Sequence, residues 1–180
     1  MDYVVRGANI LLSDATNTYN LWQVADELQV PDLKRAMDQF TAGGHMMGVE
    51  FPEEFAPLTS HFKLKTDDPR IRQFCGHEPG HYDTLTHYEN LTSFRNGNNS
   101  GRVITIRGLL NEVKADKRKG LKTAMTEYVF STIVFYQDMV GGQLVHQFDY
   151  FGGPGATVVG GVNPFAAMAA NLAIGGGTVL

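Results

Sequence analysis

The most restrictive feature of this sequence is residues 82–150, where apolar, aromatic and β-branched residues form strand-like runs separated by turn signals. Asn96-Gly97 separates two of these runs, 85–94 and 103–113, and an Asn-Gly pair favours the positive φ angles of a hairpin turn. Long runs joined by a tight turn pair as antiparallel strands. The sequence therefore predicts a mainly β domain.

A second long hairpin is predicted at Gly141-Gly142, between residues 127–136 and 143–150. Residues 126–136 carry large side chains on both faces, so this strand is predicted to lie between two layers. A charged loop, residues 114–122, links the two hairpins. We predict that the cations of this loop are simply solvated, with contact to an acidic partner surface as the alternative. These cations are Lys114, Lys117, Arg118, Lys119 and Lys122.

The first third of the chain predicts shorter elements. Runs at residues 9–12 and 19–24 indicate a hairpin, and the alternation of residues 59–65 indicates a half-buried strand. Residues 33–40 support two interpretations, because their apolar residues have helical spacing while the stretch also continues as a strand would into Gly43-Gly44. Local rules alone leave that choice open.

Residues 43–55 predict a mobile loop, because they contain three glycines and a proline. The loop holds three large apolar residues, Met46, Met47 and Phe51, with no evident core partner. Exposed apolar residues of this kind often pack on another molecule. We therefore expect this segment to be an assembly contact.

Residues 68–76 predict a short helix with clear ends. Asp68 provides an N-cap oxygen, Pro69 suits the first helical position, and Gly76 allows a left-handed turn at the end. One face is predicted to be buried through Ile71, Phe74 and Cys75. The other face presents Arg70, Arg72 and Gln73.

Composition excludes several classes of protein. The 180 residues suffice for one domain with a core of its own, and a net charge of −4 is unlike the strongly basic character of general nucleic-acid binders. A single cysteine excludes an internal disulfide framework. The sequence also predicts neither a signal peptide nor a membrane-spanning helix, and therefore a protein that is soluble where it is made.

The C-terminal segment is unusual because residues 150–180 contain no charged residue and eight glycines. Residues 165–174 predict a helix that is apolar on nearly every side, and such a helix must pack against something. We predict a division into a β domain at residues 1–150 and a Gly/Ala-rich arm at residues 151–180. The residues expected to dock the arm are Phe165, Met168, Leu172 and Ile174.

No motif predicts catalysis, a metal or a cofactor. Cys75, His77, His81 and His87 lie close together in sequence, but their spacing is irregular for zinc and they are predicted to be surface histidines with a small buried cysteine. A metal-dependent enzyme built on the three histidines remains the less favoured alternative. The Gly-rich residues 152–157 lack the lysine of a phosphate-binding loop. The residues alone thus indicate a structural protein that assembles with itself.

The order of motifs resembles the major tail tube proteins of contractile-tailed phages. The resemblance begins at Val30-Pro31-Asp32-Leu33, continues through Gly43-Gly44-His45-Met46 and Leu58-Thr59-Ser60-His61, and reaches Asp68-Pro69-Arg70-Ile71. It then includes Arg107-Gly108 before the Lys-rich linker and ends at Val159-Gly160-Gly161-Val162-Asn163. It covers residues 6–175 in order and spacing.

This resemblance implies a β-sandwich or barrel subunit that forms hexameric rings. The rings would stack into the inner tube of a contractile tail through which DNA is ejected, and residues 33–40 would be a strand. Implied partners are the sheath, tape-measure, baseplate and tail-terminator proteins, with DNA passing the lumen without specific binding and no membrane. The implied location is the virion tail, assembled in the host cytoplasm. A tailocin or type VI secretion-like tube is the alternative.

Overall fold

The computed structural model describes residues 2–44 and 46–174. Strands and helices follow one another in this order: β1 (Tyr3–Ser13), β2 (Thr18–Asn20), β3 (Ala25–Gln29), β4 (Arg35–Phe40), β5 (Val49–Phe55), β6 (Ser60–Leu64), α1 (Pro69–Arg72), β7 (Asp83–Ser93), β8 (Asn99–Ala115), β9 (Thr126–Val140), β10 (Gln143–Asp149), a 3-10 turn (Gly153–Ala156), β11 (Val158–Val159) and α2 (Ala166–Asn171). The domain is mainly β, as the sequence predicts.

One antiparallel sheet organises the molecule, with strand order β11-β10-β9-β8-β7-β1-β2. Its centre consists of the two predicted hairpins. Gly97 turns the first with a φ of 71°, and Gly141 and Gly142 turn the second with φ values of 57° and 81°. The predicted turn chemistry is therefore confirmed, because residues without a β-carbon enter this region at little cost.

Strand β9 belongs to two parts of the sheet. Along one edge it pairs with β8, whereas its other edge pairs with β6 through Thr126–Phe130 and with β10 through Phe135–Val140. Strand β3 then pairs with β6. The change of partner coincides with Thr132, which has a φ of 51°, rare for a β-branched residue.

The core lies between β1, β7, β8 and β9 on one side and β6 on the other. Ile10, Leu85 and Ile104 are fully buried against Phe62, and the Phe62 ring stacks on Tyr128 with centroids 5.1 Å apart. A buried hydrogen bond of 3.2 Å between Ser60 and His87 also joins the two sides. Of residues 126–136, only the face with Tyr128, Phe130 and Tyr136 is buried, while the other face is partly exposed. The prediction that this strand lies between two layers is therefore wrong.

Two predicted elements of the first third differ in the structure. Within residues 19–24 only β2 is a strand, because the N–H groups of Val24 and Ala25 bond the carbonyl of Leu21 and so turn the chain into β3. The segment 43–55 is not one loop, since Val49–Phe55 pairs with β4 in a separate two-stranded sheet. Local residue types did not reveal this pairing, because residues 41–48 separate the two strands.

The two interpretations of residues 33–40 are resolved in favour of the strand. Arg35–Phe40 pairs antiparallel with β5, and a register irregularity between Arg35 and Met37 precedes the pairing of Met37 with Pro52. An irregularity suits proline, which has no N–H for a regular ladder. The helical spacing of the apolar residues is therefore overridden by a pairing distant in sequence.

Candidate assembly surfaces

The β4–β5 hairpin is an exposed apolar feature attached at its base. Phe55 packs on Phe148 with ring centroids 4.6 Å apart, and the Arg35 guanidinium lies over the Phe55 ring at 5.6 Å. Toward the tip the exposed fraction is 67% for Phe51 and 78% for Met47. A two-stranded hairpin is marginally stable alone. Its exposed side chains therefore form a natural contact surface for another molecule.

The predicted residues of this contact lie in different parts of the hairpin. Met46 and Met47 are in the connection between the strands, and Phe51 is within β5. Phe40 and Val49 are also exposed and adjoin the connection. The sequence pattern did not predict these two residues as part of the contact. Their pairing as cross-strand neighbours, visible only once the register is known, places them beside the methionines.

Helix α1 has the predicted cap and the predicted anchors. The Asp68 carboxylate accepts a hydrogen bond of 2.9 Å from the Arg70 N–H and one of 2.6 Å from its guanidinium, which lower the pKa of Asp68. Ile71 and Phe74 are buried, and Phe74 meets Tyr19 edge to face. The prediction that Cys75 shares this buried face is wrong: the residue is exposed, because the helix ends at Arg72.

The outward face of α1 carries Arg70, Arg72 and Gln73, all exposed. Asp67 ties this region to the charged linker, since its carboxylate accepts hydrogen bonds of 3.2 Å from Arg72 and 2.7 Å from Arg118. Arg118 is therefore a structural link between the linker and the helix. The remaining linker cations Lys117, Lys119 and Lys122 stay exposed.

The described part of the C-terminal arm packs on its own chain. Strand β11 pairs with β10, and Asn163 donates to the carbonyls of Pro154 and Gly155. Phe165 is half-buried beside Arg35, 5.9 Å from the guanidinium to the ring centroid. The other three residues expected to dock the arm are exposed: Met168, Leu172 and Ile174. Residues 175–180 of the arm lie outside the described residues.

The family model for phage tail tube protein FII matches residues 12–173. The chain belongs to this family. It is therefore a structural protein of a tail tube, as the resemblance implies. A comparison with curated protein sequences finds no match.

Two solved structures are similar to this tail tube protein. One is a chain of the sheath–tube complex of an extracellular contractile injection system, PVC, in the extended state; it is 8% identical, with a TM-score of 0.48 over 73% of this chain and 85% of that chain. The other, from the baseplate of the anti-feeding prophage (AFP), six-fold symmetrised, is 9% identical, with a TM-score of 0.53 over 76% of this chain and 94% of that chain. This second likeness shows a shared fold.

The histidines of the tail tube protein do not converge on one site. The prediction of a surface histidine is wrong for His87, which is buried beside Ser60 in the core, and this burial lowers its pKa to about 4. His77 bonds Asp83 at 3.0 Å, whereas His81 is exposed. Across residues 2–44 and 46–174, no group of three or more His, Cys, Asp or Glu side chains is arranged to hold a metal ion. In the same ranges no helix is long and apolar enough to cross a membrane.

Proposed function

We propose that the protein assembles into hexameric rings that stack as the inner tube of a contractile tail, with DNA passing through the lumen. Membership of the tail tube family carries this proposal. The six-fold symmetry named for the AFP baseplate, which contains a chain of the same fold, supports rings of six. Repeated copies in a closed ring also protect sheet edges that a single subunit leaves open, here β2 and β11.

The β4–β5 hairpin supplies the contact between subunits or rings. Burying a large apolar side chain fully contributes roughly 1.5–3 kcal/mol. Met46, Met47 and Phe51 are largely exposed in the single subunit, so their burial yields a substantial favourable term on association. The anchored base supports this role because it fixes the direction of the hairpin before contact.

The polar face of α1 serves as the sheath-facing surface in this arrangement. Arg70, Arg72 and Gln73 are exposed on a helix whose opposite side is anchored in the core. The exposed Met168, Leu172 and Ile174 of the arm contact a neighbouring subunit, while Phe165 and Ala169 hold the arm to its own chain. The tape-measure, baseplate and tail-terminator proteins are the further partners of this arrangement.

The test is electron microscopy of the purified protein in negative stain. The expected result is rings or tubes, and the combined variant Met46→Ser, Met47→Ser and Phe51→Ser is expected to remain dispersed with a strand-rich circular dichroism spectrum. Leu121→Ser is the matched control, since this linker residue is equally apolar and fully exposed. If the triple variant still forms tubes, the hairpin is not the assembly contact. If the wild-type protein stays dispersed, the proposed function is refuted.

A tailocin or other injection tube is the second candidate. The observation that favours it is the fold shared with a chain of the AFP baseplate structure. Such a tube has no genome to conduct. Capsid and terminase genes beside the coding gene identify a phage, and their absence identifies an injection particle.

A further inference from the structure

The β4–β5 hairpin carries the net charge of the whole protein. Residues 36–55, which form most of this hairpin, contain four acidic residues and neither lysine nor arginine: Asp38, Glu50, Glu53 and Glu54. The chain has 19 acidic and 15 basic residues, a difference of four, so the formal charge outside the hairpin is zero. The acidic character of the protein is therefore confined to one projecting element.

The linker at residues 114–122 has the opposite charge. It contains five cations and one acid, Asp116, which gives a formal charge of +4. Two of the cations pair with carboxylates that lie outside the linker. The other three are exposed and form no ion pair within residues 2–44 and 46–174: Lys117, Lys119 and Lys122.

The hairpin carboxylates are also exposed and lack ion-pair partners in the part of the chain that the structure describes. Arg35 lies at the hairpin base, but its guanidinium donates to the backbone carbonyl of Glu53, at 2.7 Å, rather than to a carboxylate. Other acids of the chain do find cations, as Glu27 does with Lys63 at 2.6 Å. The subunit thus leaves its hairpin acids without a local counter-charge.

The hairpin base and the linker lie far apart in one subunit. Phe55 fixes the base to Phe148, and the Phe148 ring packs on Tyr136 of β9 with centroids 5.8 Å apart. The linker enters β9 at Thr126, ten positions before Tyr136. A strand rises about 3.3 Å per residue, so roughly 30 Å of β9 separates the two places. Among the described residues, no hydrogen bond or ion pair joins the hairpin to the linker.

We infer that the acidic hairpin of one copy binds the basic linker of a neighbouring copy in the tube. Each subunit offers both surfaces at separate places, so the contact joins unlike surfaces and repeats from copy to copy. Six acidic hairpins in one ring repel each other unless cations approach them, and the six linkers supply an equal and opposite charge. The inference rests on the proposed function and names the partner of the hairpin.

The charges and the apolar tip of the hairpin have different tasks in this contact. An exposed ion pair adds little stability, because water and salt screen it. Complementary charge instead steers association and disfavours wrong partners, since like charges placed opposite each other are strongly unfavourable. Met46, Met47 and Phe51 supply the apolar burial, and the carboxylates select the surface. Leu121→Ser leaves the charge of the linker unchanged and remains a control for the tip.

Charge reversal tests the contact from both sides. The hairpin variant is Glu50→Lys/Glu54→Lys, the linker variant is Lys117→Glu/Lys119→Glu, and a third variant combines all four substitutions. Electron microscopy over a series of protein concentrations measures where tubes form. We expect each reversal alone to raise the required concentration at least about tenfold, because like charges then meet. The combined variant restores the attraction and is expected to assemble close to the wild-type concentration.

Asp32→Lys/Glu78→Lys is the matched control for the hairpin variant. It reverses two exposed acids outside the hairpin, so it changes the net charge of the chain equally. We expect this control to assemble as the wild type does. An equal loss of tubes in the control would show that net charge, not the hairpin, governs assembly, and would overturn the inference. Normal assembly of either reversal variant, or a combined variant that is strand-rich by circular dichroism yet dispersed, would overturn it as well.

Carbodiimide coupling tests the contact in the wild-type protein, because this reagent joins only carboxylates and amines that touch. Tubes are assembled from a mixture of isotope-labelled and unlabelled subunits, so that mass spectrometry identifies couplings between copies. We expect amide bonds between the hairpin acids and the linker lysines in tubes, and none in the dispersed triple serine variant. Tubes without these couplings would overturn the inference and leave the proposed function intact. Wild-type protein that forms no tubes would refute the proposed function itself.

Discussion

Replacing Gly108 by alanine tests the packing that allows β9 to change partners. Gly108 lies buried on β8, where β9 bends around Thr132. A β-carbon at Gly108 would lie 2.7 Å from the Ser131 carbonyl oxygen and 3.2 Å from the Ile133 α-carbon. Both atoms belong to the backbone of β9, so no side-chain rotation relieves the overlap. The strands must move apart instead.

The expected cost follows from the size of this overlap. Overpacking a well-packed core typically costs about 1–3 kcal/mol in free energy of unfolding. With a urea dependence of about 2 kcal/mol per molar, a loss of that size lowers the unfolding midpoint by roughly 0.5–1.5 M. The measurement is urea unfolding followed by circular dichroism, made in the assembly-deficient hairpin variant so that dissociation of tubes does not contribute.

Gly101→Ala is the matched control for Gly108→Ala. Gly101 lies on the same strand, and a β-carbon there meets nothing within 4 Å. Alanine in a strand is favoured over glycine by roughly 0.5–1 kcal/mol, so this variant is expected to be as stable as the parent or slightly more stable. Equal midpoints for the two variants would show that β8 and β9 adjust freely, and the packing argument would then be wrong.

Three further predictions concern other parts of the molecule. Asp68→Ala is expected to lower the free energy of unfolding by about 1 kcal/mol, because it removes the N-cap. The folded pKa of Asp68 is lowered from 3.8, so this difference from wild type should persist at neutral pH and shrink below pH 3.8. A difference that does not change with pH would contradict this account of the cap. The pKa of His87 is about 4 in the folded protein against an ordinary 6.5, so as the pH falls the unfolded chain binds a proton first. The free energy of unfolding of the wild type should therefore fall by about 2 kcal/mol between pH 7 and pH 5. His87→Gln should remove this loss, and identical pH profiles of urea unfolding for the two proteins would contradict the prediction. Hydrogen exchange at residues 166–171 is expected to be fast in free subunits and slow in tubes, whereas strong protection in free subunits would contradict docking on a neighbour.

Much of the fold depends on signals that are local in sequence. The turns at Gly97 and Gly141-Gly142 and the cap at Asp68 each involve a few consecutive residues, so residue type alone predicts them. The long hairpins follow because their strands adjoin those turns. The order of motifs through the chain was sufficient to indicate the tail tube family, which the family model confirms.

Other features were decided only by contacts between distant residues. The pairing of β4 with β5 overrode the helical spacing in residues 33–40, and the end of α1 at Arg72 left Cys75 exposed. No sequence pattern distinguishes Arg107 from Arg102, yet Arg102 pairs with Asp138 on the neighbouring strand, whereas the Arg107 side chain has no such partner among the residues that the structure describes. Strand register determines which side chains share a face, and register depends on the whole sheet. The sequence by itself therefore determined the elements and the family, whereas the tertiary structure decided which of their surfaces remain free.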